Sequence, residues 1–131
     1  MKFSDFKLEK CADGLLPAII QDASTLKVLM LGYMNEEAFN KTVETGLVTF
    51  YSRTRQTLWT KGETSGNYLH VVDMFGDCDS ATLLIKARPD GPVCHRGTTS
   101  CFDTRENEGF LGTLQDCIQQ RHRDMPAEHY T

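Results

Sequence analysis

The sequence lacks a long hydrophobic run. None of its apolar stretches approaches the roughly 20 residues that a membrane-spanning helix requires, and residues 1–30 have no basic segment that leads into a long apolar run. These features argue against a membrane anchor and against an export signal. We therefore expect a cytoplasmic protein that has no membrane partner.

The sequence also lacks an excess of positive charge. Its 14 Lys and Arg residues are outnumbered by 18 Asp and Glu residues, which gives a formal net charge of −4. Nucleic-acid-binding domains usually present a basic face, so a nucleic-acid partner is not expected. A phosphate-bearing ligand would need local arginines, lysines or a metal ion to reverse the overall sign.

The cysteine pattern indicates neither a disulfide framework nor a zinc finger. Five cysteines are an odd number, and Cys78, Cys94 and Cys101 are separated by 16 and 7 positions rather than by C-x2-C spacing. Burial as small hydrophobes would explain them, but so would a metal site. Three thiolates would leave the fourth position of a tetrahedral zinc open to water, as in catalytic sites. Cys11 and Cys117 receive no role.

The hydrophobic pattern predicts one domain that contains several strands and one short helix. With 131 residues, of which 40% are hydrophobic, the chain can bury an ordinary core. Asn35 is a suitable N-cap and Gly46 a suitable stop, which predicts a short helix near 35–45. The remaining pattern leaves an open antiparallel sheet and a barrel-like core as alternatives. It predicts strands at 17–22, 26–34, 47–55, 68–75 and 82–87, the last two central, and a glycine-containing loop at 58–67.

The predicted strand after Gly46 carries two arginines. Strand periodicity puts Tyr51, Arg53 and Arg55 on the face opposite Val48. A solvated outer face is the commoner explanation of such a pair. Bidentate contacts to phosphate are the functional alternative.

A second group of polar residues surrounds the first of the three cysteines. If the strand at 68–75 continues through position 76, Asp77 and Asp79 lie on one face and Cys78 lies on the other. Thiolate suits zinc, whereas paired carboxylates suit magnesium. His95 follows Cys94 directly, and it is either a fourth ligand, a general base, or a histidine hydrogen-bonded in a loop.

Four ordered motifs resemble the phosphoribosyl-AMP cyclohydrolase family, from about residue 13 to residue 102. They are "LMLGYMNEEAF", "TFYSRTRQTLWTKGETSGN", "GDCDSATLLIK" and "GPVCHRGTTSCF". The resemblance implies a β-rich α+β fold and a homodimer in which both subunits contribute zinc ligands. It also implies hydrolytic opening of the adenine ring of phosphoribosyl-AMP between N1 and C6, the third step of histidine biosynthesis.

The resemblance implies the metal ligands residue by residue. Cys78, Cys94 and Cys101 match the zinc ligands, and Asp77 and Asp79 match two magnesium ligands. The family pattern is D-C-D-x-D, and this chain has alanine at position 81 in place of the third carboxylate. Losing one anionic ligand should weaken a magnesium site, unless a neighbouring hydroxyl compensates through water.

The reaction implied by the resemblance suggests roles for further residues. Attack of a zinc-activated water on C6 of a purine has a precedent in adenine deaminases. We expect His95 to be the general base or proton donor, with Glu63 as the second candidate. Arg53, Arg55 and Lys61 are expected to bind phosphate or ribose.

The residues after position 102 form a separate unit in the sequence. Residues 103–109 are polar and predict a linker, and 110–131 predict an amphipathic helix. This helix resembles the first helix of a phosphoribosyl-ATP pyrophosphohydrolase domain. We expect a truncated domain without pyrophosphohydrolase activity; a short natural extension is the alternative. A structural zinc module and an impaired relative that lacks the third carboxylate are competing interpretations of the whole chain.

Overall fold

Six strands and one α-helix make up the fold in the computed structural model, which describes residues 1–94 and 97–102. Three short 3-10 turns precede the first strand, at Phe3–Asp5, Leu8–Lys10 and Ala12–Gly14. The helix and strands are β1 (Leu16–Asp22), β2 (Val28–Met34), α1 (Glu36–Thr45), β3 (Thr49–Ser52), β4 (Thr57–Thr60), β5 (Leu69–Gly76) and β6 (Leu83–Pro89).

The larger sheet has the strand order β2-β1-β6-β5. β1 pairs antiparallel with β2 and parallel with β6, and β6 pairs antiparallel with β5. The expected β-rich α+β class is confirmed, and within the described residues the mainly antiparallel sheet is open rather than closed into a barrel. The prediction of a central strand is right for β6 and wrong for β5, which is an edge strand with exposed residues such as Val72 and Phe75.

Helix α1 has the predicted ends because both signals are local. The Asn35 side chain accepts a hydrogen bond from the Ala38 N–H at 2.9 Å, and Gly46 adopts a left-handed conformation with φ of 74°. Thr42 is fully buried, and its hydroxyl accepts a hydrogen bond from the Thr49 N–H at 2.9 Å. This bond ties the helix to β3.

Strands β3 and β4 form a separate two-stranded antiparallel hairpin. Val48 and Phe50 are both buried. However, β3 ends at Ser52, so Arg53 and Arg55 lie in the connecting turn and do not share a strand face. The predicted 58–67 loop is also too long, because β4 occupies its first part. The pairing of β3 with β4 puts the chain reversal at residues 53–56, which come before the two glycines of the predicted loop, Gly62 and Gly66.

Gly32 makes room for a buried aromatic ring. A Cβ at Gly32 would lie 2.4 Å from two ring carbons of Phe50, whose side chain is 1% exposed. The ring cannot move away, because it packs in the main hydrophobic core with residues such as Leu16, Ile20, Leu29, Met34 and Phe39.

Gly32→Ala should therefore lower the free energy of unfolding by about 1–3 kcal/mol, as overpacking of a core does. Chemical denaturation measures the difference. Gly76→Ala is the matched control, because it also replaces a strand glycine but its Cβ would come no closer than 3.2 Å to Phe6. Equal stabilities of the two variants would contradict the overlap at Phe50.

The described residues do not include every predicted element. Within them, the structure has no helix with the length and apolar content to pass through a bilayer. The predicted linker at 103–109, the predicted C-terminal helix at 110–131 and His95 lie outside the described residues.

Candidate active site

The segment after β5 forms a tight acidic turn over residues 77–82. The Asp77 carboxylate accepts hydrogen bonds from the N–H groups of Ala81 and Thr82 at 2.8 and 3.1 Å, and its own N–H donates to the Thr82 carbonyl at 3.0 Å. The strand ends at Gly76, so the expectation that Asp77 and Asp79 share a strand face is wrong. The Asp77 side chain itself stabilises the turn that replaces the strand.

The N-terminal segment packs on this acidic turn. The Lys7 N–H donates to the Ser80 carbonyl at 2.7 Å, and the Lys10 ammonium lies 4.0 Å from a carboxylate oxygen of Asp79. The ion pair is exposed on both sides, so it contributes little to stability. Asp79, one of the two predicted magnesium ligands, therefore already has a cation beside it.

Cys11 also contacts the acidic turn. Its thiol donates to the Ala81 carbonyl at 3.4 Å. Burial, followed by the negative charges of Asp77 and Glu9, raises the pKa of the Cys11 thiol. The raised pKa favours the protonated thiol, which is the form that donates this hydrogen bond.

The segment that contains Cys94 forms a small hairpin. The Val93 N–H donates to the Thr99 carbonyl and the Cys94 N–H to the Thr98 carbonyl, both at 3.2 Å. The Gly97 N–H donates to the Cys94 carbonyl at 2.9 Å. These bonds fix the backbone of Cys94, whose side chain is buried.

Ser100 anchors the end of this hairpin to β2. Its side chain is buried, and its oxygen lies 2.7 Å from the Val28 carbonyl and 3.0 Å from the Leu29 carbonyl. It accepts the Phe102 N–H at 2.9 Å, and the Cys101 N–H donates to the Leu29 carbonyl at 2.8 Å. The exposed Cys101 is therefore held against the beginning of β2.

Two cavities lie next to each other around Trp59. The first cavity, of about 550 Å³, is lined by residues that include Ser52, Thr54, Arg55, Thr57, Trp59 and Glu63. The second cavity, of about 430 Å³, is lined by residues that include Trp59, Lys61, Thr64, Ser65, Asn67 and Cys94. Four predicted site residues are thus divided, with Arg55 and Glu63 in the first cavity and Lys61 and Cys94 in the second.

Asn67 joins the two walls of the second cavity. Its side-chain amide donates to the Pro92 carbonyl at 3.2 Å, and a Cβ at Gly91 would lie 2.6 Å from its side-chain oxygen. Gly62 has φ of 98°, and a Cβ there would lie 2.5 Å from the Asn67 carbonyl group. Gly62 therefore permits the loop after β4 to close on itself, and Gly91 permits the close approach of Asn67 to the segment leading to Cys94.

Arg53 lies outside the set of residues that line the two cavities. Its guanidinium donates to the Asp13 carboxylate and lies 5.6 Å from the centroid of the Tyr33 ring. It connects the N-terminal segment to the sheet. A phosphate-binding role for Arg53 would require this contact to break.

The three predicted zinc ligands are in different places on the chain. Cys78 is exposed on the acidic turn, Cys94 is buried in the wall of the second cavity, and Cys101 is exposed beside β2. None of the four cysteines in the described residues forms a disulfide. Within positions 1–94 and 97–102, no three His, Cys, Asp or Glu side chains are grouped to hold a metal ion. Sharing of the thiols between two chains stays a prediction.

Trp59 and Asn67 were not identified as site residues from the sequence. Trp59 is the only tryptophan of the chain, and it lies in a segment rich in polar residues and glycine. This unusual setting was the sequence feature from which Trp59 could have been identified as a site residue. Asn67 gave no comparable signal, because its partners lie about 25 positions away.

Comparison with known proteins places the chain in a family. Residues 30–103 match the family model for phosphoribosyl-AMP cyclohydrolase. The "Histidine biosynthesis bifunctional protein HisIE" of Bacteroides thetaiotaomicron is 61% identical over 121 residues, which are 91% of this chain and 60% of that protein. The proteins of the same name from Xylella fastidiosa (strain Temecula1) and Escherichia coli (strain K12) are each 56% identical, over 91% of this chain and 57% and 59% of their own lengths.

The chain spans about 60% of the length of the curated relatives it matches. The family match covers more than half of the chain and includes β3, β4, the acidic turn and all three predicted zinc ligands. On this similarity, the chain belongs to the phosphoribosyl-AMP cyclohydrolase family.

Proposed function

We propose that this protein hydrolyses phosphoribosyl-AMP, opening the adenine ring between N1 and C6, and that it acts in histidine biosynthesis. Family membership supports the reaction. The observation that carries the proposal is the second cavity, where the buried thiol Cys94 and the cationic side chain of Lys61 line the same space. A nucleophile-generating site and a phosphate contact are both needed for this substrate.

The residues present fit zinc by their chemistry. Cys78, Cys94 and Cys101 supply three soft thiolate ligands, and none of them is consumed in a disulfide. When bound, zinc would supply a water with a pKa lowered to about 7. Because the three thiols are separated within one chain, we propose a homodimer in which each site takes ligands from both subunits.

The chain's own residues move the protons. We propose that His95 accepts a proton from the attacking water and returns it to N1. The water oxygen forms a bond to C6, the C6–N1 bond breaks, and its electron pair is protonated at N1. Glu63 is the alternative base, but it lines the first cavity whereas Cys94 lines the second. His95, which follows Cys94 in the sequence, is therefore preferred.

We propose that two cationic residues hold the substrate's phosphates. Arg55 lines the first cavity and Lys61 the second. Because the protein is acidic overall, these local positive charges are required for an anionic substrate. Arg53 is a weaker candidate, since Asp13 and Tyr33 already engage it.

The donor set does not fit a magnesium site with three carboxylates. Asp77 uses one oxygen to cap the acidic turn, Asp79 has Lys10 beside it, and Ala81 brings no side-chain oxygen. Two carboxylates hold magnesium less firmly than three. We propose that any magnesium bound here is weakly held, and no step of the reaction is assigned to it.

Zinc-loaded protein should open the ring of phosphoribosyl-AMP, and a zinc-selective chelator should stop the reaction. Ultraviolet absorbance follows the change, because the purine chromophore is altered when N1–C6 breaks. Re-addition of zinc after removal of the chelator should restore the rate. No absorbance change with fully zinc-loaded protein would refute the proposed function.

A further inference from the structure

We propose that Trp59 contacts the purine ring of the substrate and that the two phosphoribosyl arms divide between the two cavities on either side of it. The inference rests on the proposed function, because it assigns positions to the parts of that substrate. It adds a specificity-determining residue and a binding orientation to the reaction.

Strand β4 runs beside both cavities. Trp59 lies within this strand, and Lys61 follows its last residue, Thr60. Thr57 lines the first cavity, Lys61 lines the second, and Trp59 lines both. The distance from Thr57 to Lys61 along an extended chain is about 13 Å. One elongated ligand can therefore lie across the indole and reach into both spaces.

Each cavity has a cation and hydroxyl groups that suit a phosphate. The first cavity has Arg55 with Ser52 and Thr54, and the second has Lys61 with Ser65. Charged donors and hydroxyls together are the usual ligands of a phosphate monoester. The substrate has a flat base in its middle and one phosphate at each end, and the site has one aromatic side chain common to two cavities that each contain a cationic residue.

The Phe50 ring supports one side of the Trp59 indole. The buried ring of Phe50 packs against Trp59 with centroids 5.4 Å apart and an angle of 39° between the planes. The Gly32 backbone packs directly against the Phe50 ring, so this ring has no space to move away from Trp59. The Lys61 ammonium lies over the Trp59 ring, 5.5 Å from its centroid, so a base that stacks on this face has to displace it. A fixed aromatic side chain loses little conformational entropy when a ligand binds.

Trp59 reports on its own contacts, because the chain contains one tryptophan. Adenosine 5′-monophosphate, added to the zinc-loaded full chain, should quench the tryptophan fluorescence in a saturable way. Ribose 5-phosphate and inorganic phosphate, which have no base, should quench it at least several-fold less. Equal quenching by adenosine 5′-monophosphate and ribose 5-phosphate, or no quenching by either, would overturn the contact with the base.

Replacing the indole tests its role in turnover. Trp59→Leu should raise the KM for phosphoribosyl-AMP by about 5- to 150-fold, the range for loss of one base–aromatic contact. Trp59→Phe keeps an aromatic ring and should recover most of that loss. Circular dichroism and bound zinc should match the unaltered protein in both variants. A KM for Trp59→Leu that equals the unaltered value would overturn the proposal.

The division of the two arms is tested with Arg55→Gln and Lys61→Gln. Both variants should raise the KM for phosphoribosyl-AMP, whereas only one of them should weaken binding of adenosine 5′-monophosphate, which has a single arm. Arg88→Gln is the control, because this exposed residue pairs with Asp90 and is not among the residues that line the two cavities. The arrangement would be overturned if both substitutions weakened the binding of adenosine 5′-monophosphate equally, or if neither substitution weakened it.

The two proposals can fail separately. Without ring opening by the unaltered protein, the proposed function is wrong, whatever the fluorescence shows. With normal ring opening and no effect of Trp59→Leu, the function stands and the role of Trp59 is wrong.

Discussion

Cys78→Ser should abolish ring opening, lowering kcat by at least about 1000-fold, while leaving the fold intact. In the proposed site, loss of this thiolate would remove the zinc that would activate water, a contribution of several kcal/mol to the barrier. The fold should survive because Cys78 is exposed and the acidic turn is held by backbone groups and by Asp77. Bound zinc and kcat are measured on the same preparation, with thermal unfolding as the check on folding.

Cys11→Ser is the matched control. The pKa of the Cys11 thiol is raised, so this side chain acts as a donor to the Ala81 carbonyl, and a serine hydroxyl keeps that donor. Zinc content and kcat should stay within a few-fold of the unaltered protein. If Cys78→Ser retains both zinc and activity, the proposed ligand set is wrong.

Mixing two inactive variants tests whether the site is shared between subunits. If Cys78 of one chain joins Cys94 and Cys101 of the other, a mixed dimer of Cys78→Ser and Cys101→Ser has one site with both substitutions and one intact site. Activity should then return after the chains are unfolded and refolded together. If each site takes all three thiols from one chain, every site keeps one defect and no activity returns.

Local signals in the sequence were sufficient for part of the fold. Helix α1 has its own start and stop residues, Asn35 and Gly46, which act within a few positions of themselves. Two apolar runs joined by a short turn before this helix were enough to locate β1 and β2. Each of these features depends on near neighbours, so no knowledge of the tertiary structure was needed.

The errors occurred where distant partners decide the structure. Arg53 was placed on a strand, but β3 ends where its pairing with β4 ends, and Arg53 turns to Asp13, which is 40 positions away in the sequence. Strand β5 was expected in the centre, although a strand's position in a sheet depends on which strands pair with it. The apolar pattern of a single strand does not contain that information.

The candidate site shows the same limit. The sequence predicted a zinc ligand at Cys94 and a phosphate or ribose contact at Lys61, and both residues line the second cavity. It did not identify Trp59 as the residue common to two cavities, because that role depends on how the loops on both sides of β4 are folded. Residue types predict what a site can do, whereas the fold decides which of them act together.

His95→Ala should lower kcat by roughly 100-fold or more, the usual effect of removing a general acid or base. His95 follows Cys94, a residue of the second cavity wall, and its predicted role is proton transfer rather than metal binding. Bound zinc should therefore stay at the level of the unaltered protein. Glu63→Gln is the comparison, because the competing base would show the opposite result: a large loss for Glu63→Gln and a near-normal rate for His95→Ala.

The zinc measurement on His95→Ala also decides between two classes of protein. Three thiolates leave one position for water, whereas three thiolates and an imidazole would complete a tetrahedral structural site. If His95→Ala loses its zinc together with its stability, the histidine is the fourth ligand and the site has no open position. Retained zinc with a slow reaction means that the metal keeps its reactive position and has lost only the group that moves the proton.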